Sequence, residues 1–219
     1  MHRQRAMLLV GPTGSGKTPL GERLDAQGLW GRRCCHFDFG KHLRAVAANE
    51  LRPDGWTDAD TAFVRDVLLK GALLEKSAFH LAERLLAQFT EAARLGPDDL
   101  LVLNGWPRHA EQAETVDLGV DVGLVAHLDC AEVEVRARIR GDAGGDRTGR
   151  ADDSEPDVSR KWRVYKKRTE PLLDHYRRKG VQVVALDVDT ETSSGDLVRC
   201  LEGANDPWSD RQAARSDRT

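Results

Sequence analysis

The eight residues Gly11, Pro12, Thr13, Gly14, Ser15, Gly16, Lys17 and Thr18 constrain this chain more than any other stretch. They follow a short apolar run, residues 6–10, and open a helical segment, residues 17–27, that Gly28 closes. A strand, a glycine-rich turn and a helix, with G-x-x-x-x-G-K-[ST] across the turn, describe a backbone curled so that its N–H groups face phosphate oxygens. Glycine permits the curl, and the positive end of the following helix adds to the attraction. Gly11, Thr13, Gly14, Ser15, Gly16, Lys17 and Thr18 are therefore the expected binding set for a nucleoside triphosphate. Lys17 would reach the β- and γ-phosphates, and the Thr18 hydroxyl is the expected Mg²⁺ ligand. Pro19 is compatible with this, because first-turn N–H groups have no helical partner to lose.

Beyond the loop, short apolar strands alternate with helical segments. Residues 34–37, 100–103, 123–129 and 182–187 read as four further strands, and 100–103 is the continuous apolar type that is buried on both faces of a parallel sheet. Helices are expected over residues 41–49, 58–70, 75–95, 111–117, 133–140 and 194–201, with Phe63, Val67, Leu74, Phe79, Leu81, Leu85 and Leu86 at core positions. Ser154, followed by Glu155 and Asp157, caps a long helix that runs to residue 179 and stops at Gly180. Its expected buried stripe is Trp162, Tyr165, Thr169, Leu172, Leu173 and Tyr176. The pattern predicts a three-layer α/β fold, with a central five-stranded parallel sheet and a ligand crevice beyond the carboxyl ends of the strands. One domain over residues 1–203 is expected, with a helical insert at about 38–96, a glycine- and charge-rich lid at about 141–155, and a polar, frayed tail over 204–219.

Composition narrows the partners. The net charge is −3, which excludes a non-specific nucleic-acid binder, and no apolar run approaches the ~20 residues that span a bilayer. A cytoplasmic monomer is the expectation. Cys34, Cys35, Cys130 and Cys200 lack paired spacing and are expected to be reduced, buried, small hydrophobes. His109 and His127 have no partner pattern for acid–base or metal work and are expected either to lie on the surface or to pack.

The later motifs carry a resemblance. Asn104, Gly105, Trp106, Pro107 and Arg108, followed by Gln112, look like the Asp-Gly-Phe-Pro-Arg motif and downstream Gln of the adenylate kinase and nucleoside monophosphate kinase family. Gly149, Arg150, Ala151, Asp152 and Asp153 resemble that family's Gly-Arg-x-Asp-Asp motif. Tyr165, Thr169, Glu170, Pro171, Leu172 and Tyr176 match the spacing of the helix that follows it. The resemblance runs from about residue 6 to residue 201. It implies transfer of the γ-phosphoryl of ATP to a nucleoside monophosphate, with Mg²⁺ and without a structural zinc, because the lid is the short form.

Such a reaction is mainly positioning and charge neutralisation, a task that suits the planar, permanently charged fork of arginine. The resemblance assigns Arg44, Gly105, Arg108 and Gln112 to the acceptor, with Gln112 reading its base. Arg138 and Arg150 close over the triphosphate, and Lys17, Arg108, Arg138, Arg150 and Lys161 are the expected catalytic set. Asp152 and Asp153 either support catalysis or cap a helix.

Five positions depart from the family pattern. The acid opening the Gly-Phe-Pro-Arg loop is Asn104, which as a neutral amide holds a metal's water shell less strongly. In the segment 37–44, Phe39 and Lys41 replace a small hydroxyl and an acid. The arginine expected four residues before Tyr165 is Lys161, with Arg160 about 100° around the helix. The lid arginine expected four residues after Arg138 is Asp142, for which Arg140 or Arg147 are the available substitutes. Asp38 is either a compensating acid or a local turn cap. Two alternatives therefore stand beside the leading reading: a P-loop kinase for another small acceptor, and a nucleotide-binding regulator with weak catalysis.

Overall fold

A computed structural model describes residues 3–145 and 154–209 of the chain. In chain order its elements are β1 (Gln4–Val10), α1 (Lys17–Gln27), β2 (Cys34–Asp38), α2 (Phe39–Ala47), α3 (Asp58–Lys70), α4 (Phe79–Ala93) and β3 (Leu100–Asn104). Then follow α5 (Ala110–Gly119), β4 (Val120–Asp129), α6 (Glu132–Arg140), α7 (Glu155–Val164), α8 (Leu172–Arg178), β5 (Gln182–Asp187) and α9 (Ser194–Glu202). The strands form one five-stranded sheet in the order β2-β3-β1-β4-β5, with every pairing parallel. The expected α/β architecture is what the chain adopts.

Period-two alternation divides the core in two. Ala6, Leu8 and Val10 of β1 face α2 to α5 and α8, whereas Met7 and Leu9 face α1, α6 and α9. Leu101 and Leu103 of β3 join the first cluster, and Leu100 and Val102 the second. Burial on both faces is why these strands read as unbroken apolar runs. In register, Leu9 of β1 pairs with Asn104 of β3, and Asn104 pairs with Asp38 of β2. The loops that follow these strands therefore leave the sheet level with one another. Among the described residues, no helix is long and apolar enough to cross a membrane.

Several expectations need correction. The long helix of residues 154–179 is broken: Ser154 caps α7 by accepting from the Asp157 N–H at 3.3 Å, but Tyr165–Thr169 is a π-helical turn, closed by Glu170 N–H to the Tyr165 carbonyl at 2.9 Å. Pro171 has no N–H to continue the ladder and crowds the carbonyl four residues back, so the rod widens before α8 restarts. The helix expected from residue 75 begins at Phe79, after a 3₁₀ turn over Lys76–Ala78. Phe63 is 41% exposed rather than in the core, and Cys200 is exposed on α9 while Cys34, Cys35 and Cys130 are buried thiols. Burial pushes the Cys34 thiol up to about 12 and the Cys130 thiol up to about 11.

The start of the expected frayed tail is packed. Trp208 is 1% exposed and lies 6.4 Å from Trp30, centroid to centroid, against Gly123, where a Cβ would come within 2.5 Å of its ring. Asp206 pairs with the buried Arg32 at 2.8 Å and accepts from the Trp208 N–H at 2.9 Å.

Candidate active site

The phosphate loop follows from close approach as much as from conformational freedom. A Cβ on Gly11 would meet the Leu128 carbonyl oxygen and Ser15 Oγ at 2.8 Å, so no side chain fits beside β4. Gly14 and Gly16 have φ of +80° and +93°, which glycine adopts without strain. Lys17 Nζ donates to the Gly11 and Pro12 carbonyls at 2.8 and 2.5 Å, holding the ammonium across the loop. No acidic residue occupies the first turn of α1, so the positive helix end is left for an anion.

Thr18 sits in a three-residue cluster at the strand ends. Its hydroxyl donates to Asp38 Oδ2 at 2.7 Å, and Asn104 Nδ2 donates to Thr18 Oγ1 at 3.1 Å and to Asp38 Oδ2 at 3.0 Å. The other carboxylate oxygen, Asp38 Oδ1, accepts from the Lys41 N–H at 2.8 Å and caps α2. Burial works against a charge here. Even so, the Thr18 hydroxyl, the Lys41 N–H and the nearby Arg44 charge hold the Asp38 carboxyl below the usual carboxylate range.

The same cleft continues to the expected acceptor residues. Arg44, Gly105, Arg108 and Gln112 line it together with Gly11, Thr13, Gly14, Gly16, Lys17 and Thr18. Among the described residues, neither the Arg44 nor the Arg108 guanidinium donates a hydrogen bond to a protein acceptor, and burial lowers the Arg108 pKa. Gln112 is 1% exposed; its Oε1 accepts from the Arg108 N–H at 2.7 Å and its Nε2 donates to the Leu74 carbonyl at 2.8 Å. The amide expected to read a base thus also fixes the Arg108 backbone and ties the loop after β3 to the segment after α3. Gly105, with φ +84°, faces Phe39, whose Cβ would lie 3.7 Å from a Cβ at position 105.

No family model matches the chain. An adenylate kinase of Stenotrophomonas maltophilia (strain K279a) is 30% identical over 185 residues, covering 80% of this chain and 86% of that protein. An adenylate kinase of Mycobacterium sp. (strain MCS) is 36% identical over 182 residues, covering 78% of this chain and 85% of that protein. The chain belongs to the adenylate kinase and nucleoside monophosphate kinase family. It is a phosphotransferase of that type.

Against the family motif, the position of negative charge is what differs: the loop after β3 opens with Asn104, and the carboxylate stands on the neighbouring strand, at Asp38. Of the other expected kinase residues, Arg138 is buried against the phosphate loop, with Nε donating to the Gly14 carbonyl at 3.2 Å and Nη1 donating to the Asp189 and Thr192 carbonyls at 2.5 and 3.0 Å. Ser15 is fully buried beneath the loop. Lys161 lines the cleft, whereas Arg160 pairs with Asp157 at 2.8 Å. Arg140 lies 3.8 Å from Glu155 on the surface. Arg147, Arg150, Asp152 and Asp153 lie outside the described residues. Of the surface and packing roles expected for them, His109 and His127 take the packing one: both are buried, His109 Nε2 is 3.2 Å from the Leu74 carbonyl, and His127 Nε2 is 2.9 Å from the Tyr165 hydroxyl.

Two cleft features were not singled out from the residues. Thr169, expected in the buried stripe and in the helix spacing that resembles the family but given no role in the site, lines the cleft with a buried hydroxyl that has no hydrogen-bond partner among the described residues. The π-turn carries it there, and no spacing rule announces a π-turn. The apolar wall that Phe39, Leu43, Val67 and Leu74 make together is the other: Phe39 is expected only as a replacement in the segment 37–44 and Val67 and Leu74 only as core, and the four are scattered over residues 39–74.

Proposed function

We propose that this protein transfers the γ-phosphoryl of ATP to a nucleoside monophosphate in an Mg²⁺-dependent reaction. The observation that carries the reading is one continuous cleft with the phosphate loop at one end and, at the other, two guanidinium groups, Arg44 and Arg108, that donate to no protein acceptor among the described residues. A cleft built this way suits two phosphate-bearing ligands placed end to end.

On this reading, the backbone N–H groups of the loop and the Lys17 ammonium bind the donor's phosphates. Arg44 and Arg108 hold the acceptor phosphate, whose oxygen attacks the γ-phosphorus as the bond to the ADP oxygen breaks. Lys17, Arg138 and Lys161 neutralise charge on the transferring group, and Arg150 is assigned to the same task by its motif. The site also fits a hard divalent cation: the Thr18 hydroxyl oxygen would hold Mg²⁺, and the oxygen-rich cluster at Asp38 stands 2.7 Å behind it. When bound, Mg²⁺ supplies charge neutralisation on the phosphate oxygens. The helical insert at 38–96 is read as the acceptor-binding part, and a cytoplasmic monomer that needs neither zinc nor nucleic acid is consistent with this chemistry.

The test is incubation with ATP and Mg²⁺ against each ribo- and deoxyribonucleoside monophosphate, with the diphosphates resolved. At least one monophosphate is expected to turn over. ATP binding without any turnover would sink the proposal. The apolar wall of Phe39, Leu43, Val67 and Leu74 favours a second reading, in which the acceptor is another small phosphorylated molecule with an apolar body. Turnover of such a molecule in place of any nucleotide decides for it.

A further inference from the structure

We propose that Asp38 has taken over the metal-supporting task of the carboxylate that is absent at Asn104, so that the acid of this site is carried by β2 instead of β3. The inference rests on the phosphotransferase reading and says which residue of this chain orders the cation and its water.

Asp38 and Asn104 are the last residues of adjacent parallel strands and pair in register. Neighbouring strands lie about 4.8 Å apart, so moving the charge to the in-register position of the next strand keeps it beside Thr18 at the strand ends. The hydrogen bonds show the two positions acting as a set. Asn104 Nδ2 donates to both Thr18 Oγ1 and Asp38 Oδ2, and Thr18 donates its own proton to Asp38 Oδ2. A threonine hydroxyl has one proton and two lone pairs. With the proton on Asp38 and one lone pair accepting from Asn104, a single lone pair remains for a cation. A carboxylate at position 104 would stand against Asp38 at the distance the amide now occupies, 3.0 Å, where two acids resist joint ionisation. An amide at one position and an acid at the other is the arrangement that keeps one full charge in the cluster.

Capping does not account for the acid. Asp38 Oδ1 alone accepts from the Lys41 N–H and starts α2, and asparagine caps a helix about as well as aspartate. The Oδ2 atom, turned to Thr18 and Asn104, is where charge rather than shape is required. Asp38 is therefore a positioning residue: it fixes the Thr18 hydroxyl and supplies the charge that a hydrated Mg²⁺ needs nearby.

The experiment compares Asp38→Asn, Asn104→Asp and the exchange D38N/N104D by calorimetric titration with ATP in chelator and with ATP plus Mg²⁺. Binding of Mn²⁺ to the ATP complex, followed by its paramagnetic resonance signal, is the second readout. Asp38→Asn is expected to leave metal-free ATP affinity within about twofold of wild type and to cut the gain in affinity on adding Mg²⁺ by about tenfold or more. The exchange is expected to regain most of that loss. If folded Asp38→Asn retains the wild-type gain and the wild-type Mn²⁺ signal, the assignment is overturned. A wild-type protein that gains nothing from Mg²⁺ overturns the kinase reading itself, and that result is separable because it needs no variant.

Discussion

Arg138 Nε donates to the Gly14 carbonyl at 3.2 Å, which fastens the last turn of α6 to the phosphate loop. Its Nη1 serves the Asp189 and Thr192 carbonyls at the same time, so one buried guanidinium closes three backbone acceptors. Arg138→Ala should therefore damage fold and function together. Acceptors left without a donor cost about 1–3 kcal/mol each, less whatever water recovers, and a total near 2 kcal/mol lowers Tm by about 4–8 °C for a chain of this size. ATP affinity should fall in the same variant, and Arg138→Lys should not restore it, since an ammonium cannot span the three acceptors. Thermal melting with calorimetric ATP binding checks this; an Ala variant that melts with wild type would contradict the buried clasp.

Gly21 and His36 set a second expectation. A Cβ on Gly21 of α1 would fall 2.2 Å from His36 Nε2 and within 2.5 Å of two ring carbons. In an open helix, Gly→Ala gains about 1 kcal/mol, but here overpacking costs about 1–3 kcal/mol and decides the sign. Gly21→Ala should lower Tm, and Gly21→Ala with His36→Ala should be less destabilised than the sum of the two single changes. A stabilised Gly21→Ala would show that the contact is soft.

These two contacts also mark what the sequence could show. The loop at 11–18, the strand Gln182–Asp187 and the parallel sheet were legible because each depends on local pattern: glycine spacing, continuous apolar runs and helix signals in strict alternation. The partner of Thr18 was not, because Asp38 is twenty residues away and its meaning depends on β2 and β3 lying side by side in register. The break before α8 was hidden because Pro171 disrupts a helix whose apolar stripe continues unchanged on either side. Trp208 looked like part of a polar tail because one aromatic residue carries the packing, and the hole it fills is made by the missing side chain of Gly123.

The buried pair of His127 and Tyr165 gives a pH dependence. Burial lowers the His127 pKa, opposed by the charges of Asp129 and Glu170. The unfolded chain then binds more protons below the ordinary histidine value of about 6.5, so this part of the stability is complete above that pH and is lost as pH falls from there towards the folded-state value. The slope is at most about 1.4 kcal/mol per pH unit for one histidine. His36, also lowered by burial, acts in the same direction. His127→Gln should reduce the loss of Tm between about pH 7.5 and 5.5, with the His36 share remaining. An unchanged pH profile would mean that His127 does not stay neutral in the fold.

Arg108 separates function from stability most cleanly. Its guanidinium lines the cleft, burial lowers its pKa, and no described protein acceptor offsets that burial. A cation kept in such a place costs stability until an anion arrives, so a ligand-binding role for Arg108 predicts a side chain that the fold can lose. Arg108→Ala should then leave Tm unchanged or raise it, although Gln112 keeps its bond to the residue-108 N–H in both proteins. Losing a bidentate, charge-assisted phosphate contact of about 1.5–3 kcal/mol should weaken acceptor binding by roughly 10- to 100-fold while ATP binding changes little. Arg108→Lys should recover only part of it, because a point charge cannot reproduce the fork. Thermal melting and separate titrations of the two substrates read all three effects. Equal losses of donor and acceptor affinity, or a Tm that falls with Arg108→Ala, would mean that the guanidinium holds the loop together instead of waiting for a phosphate.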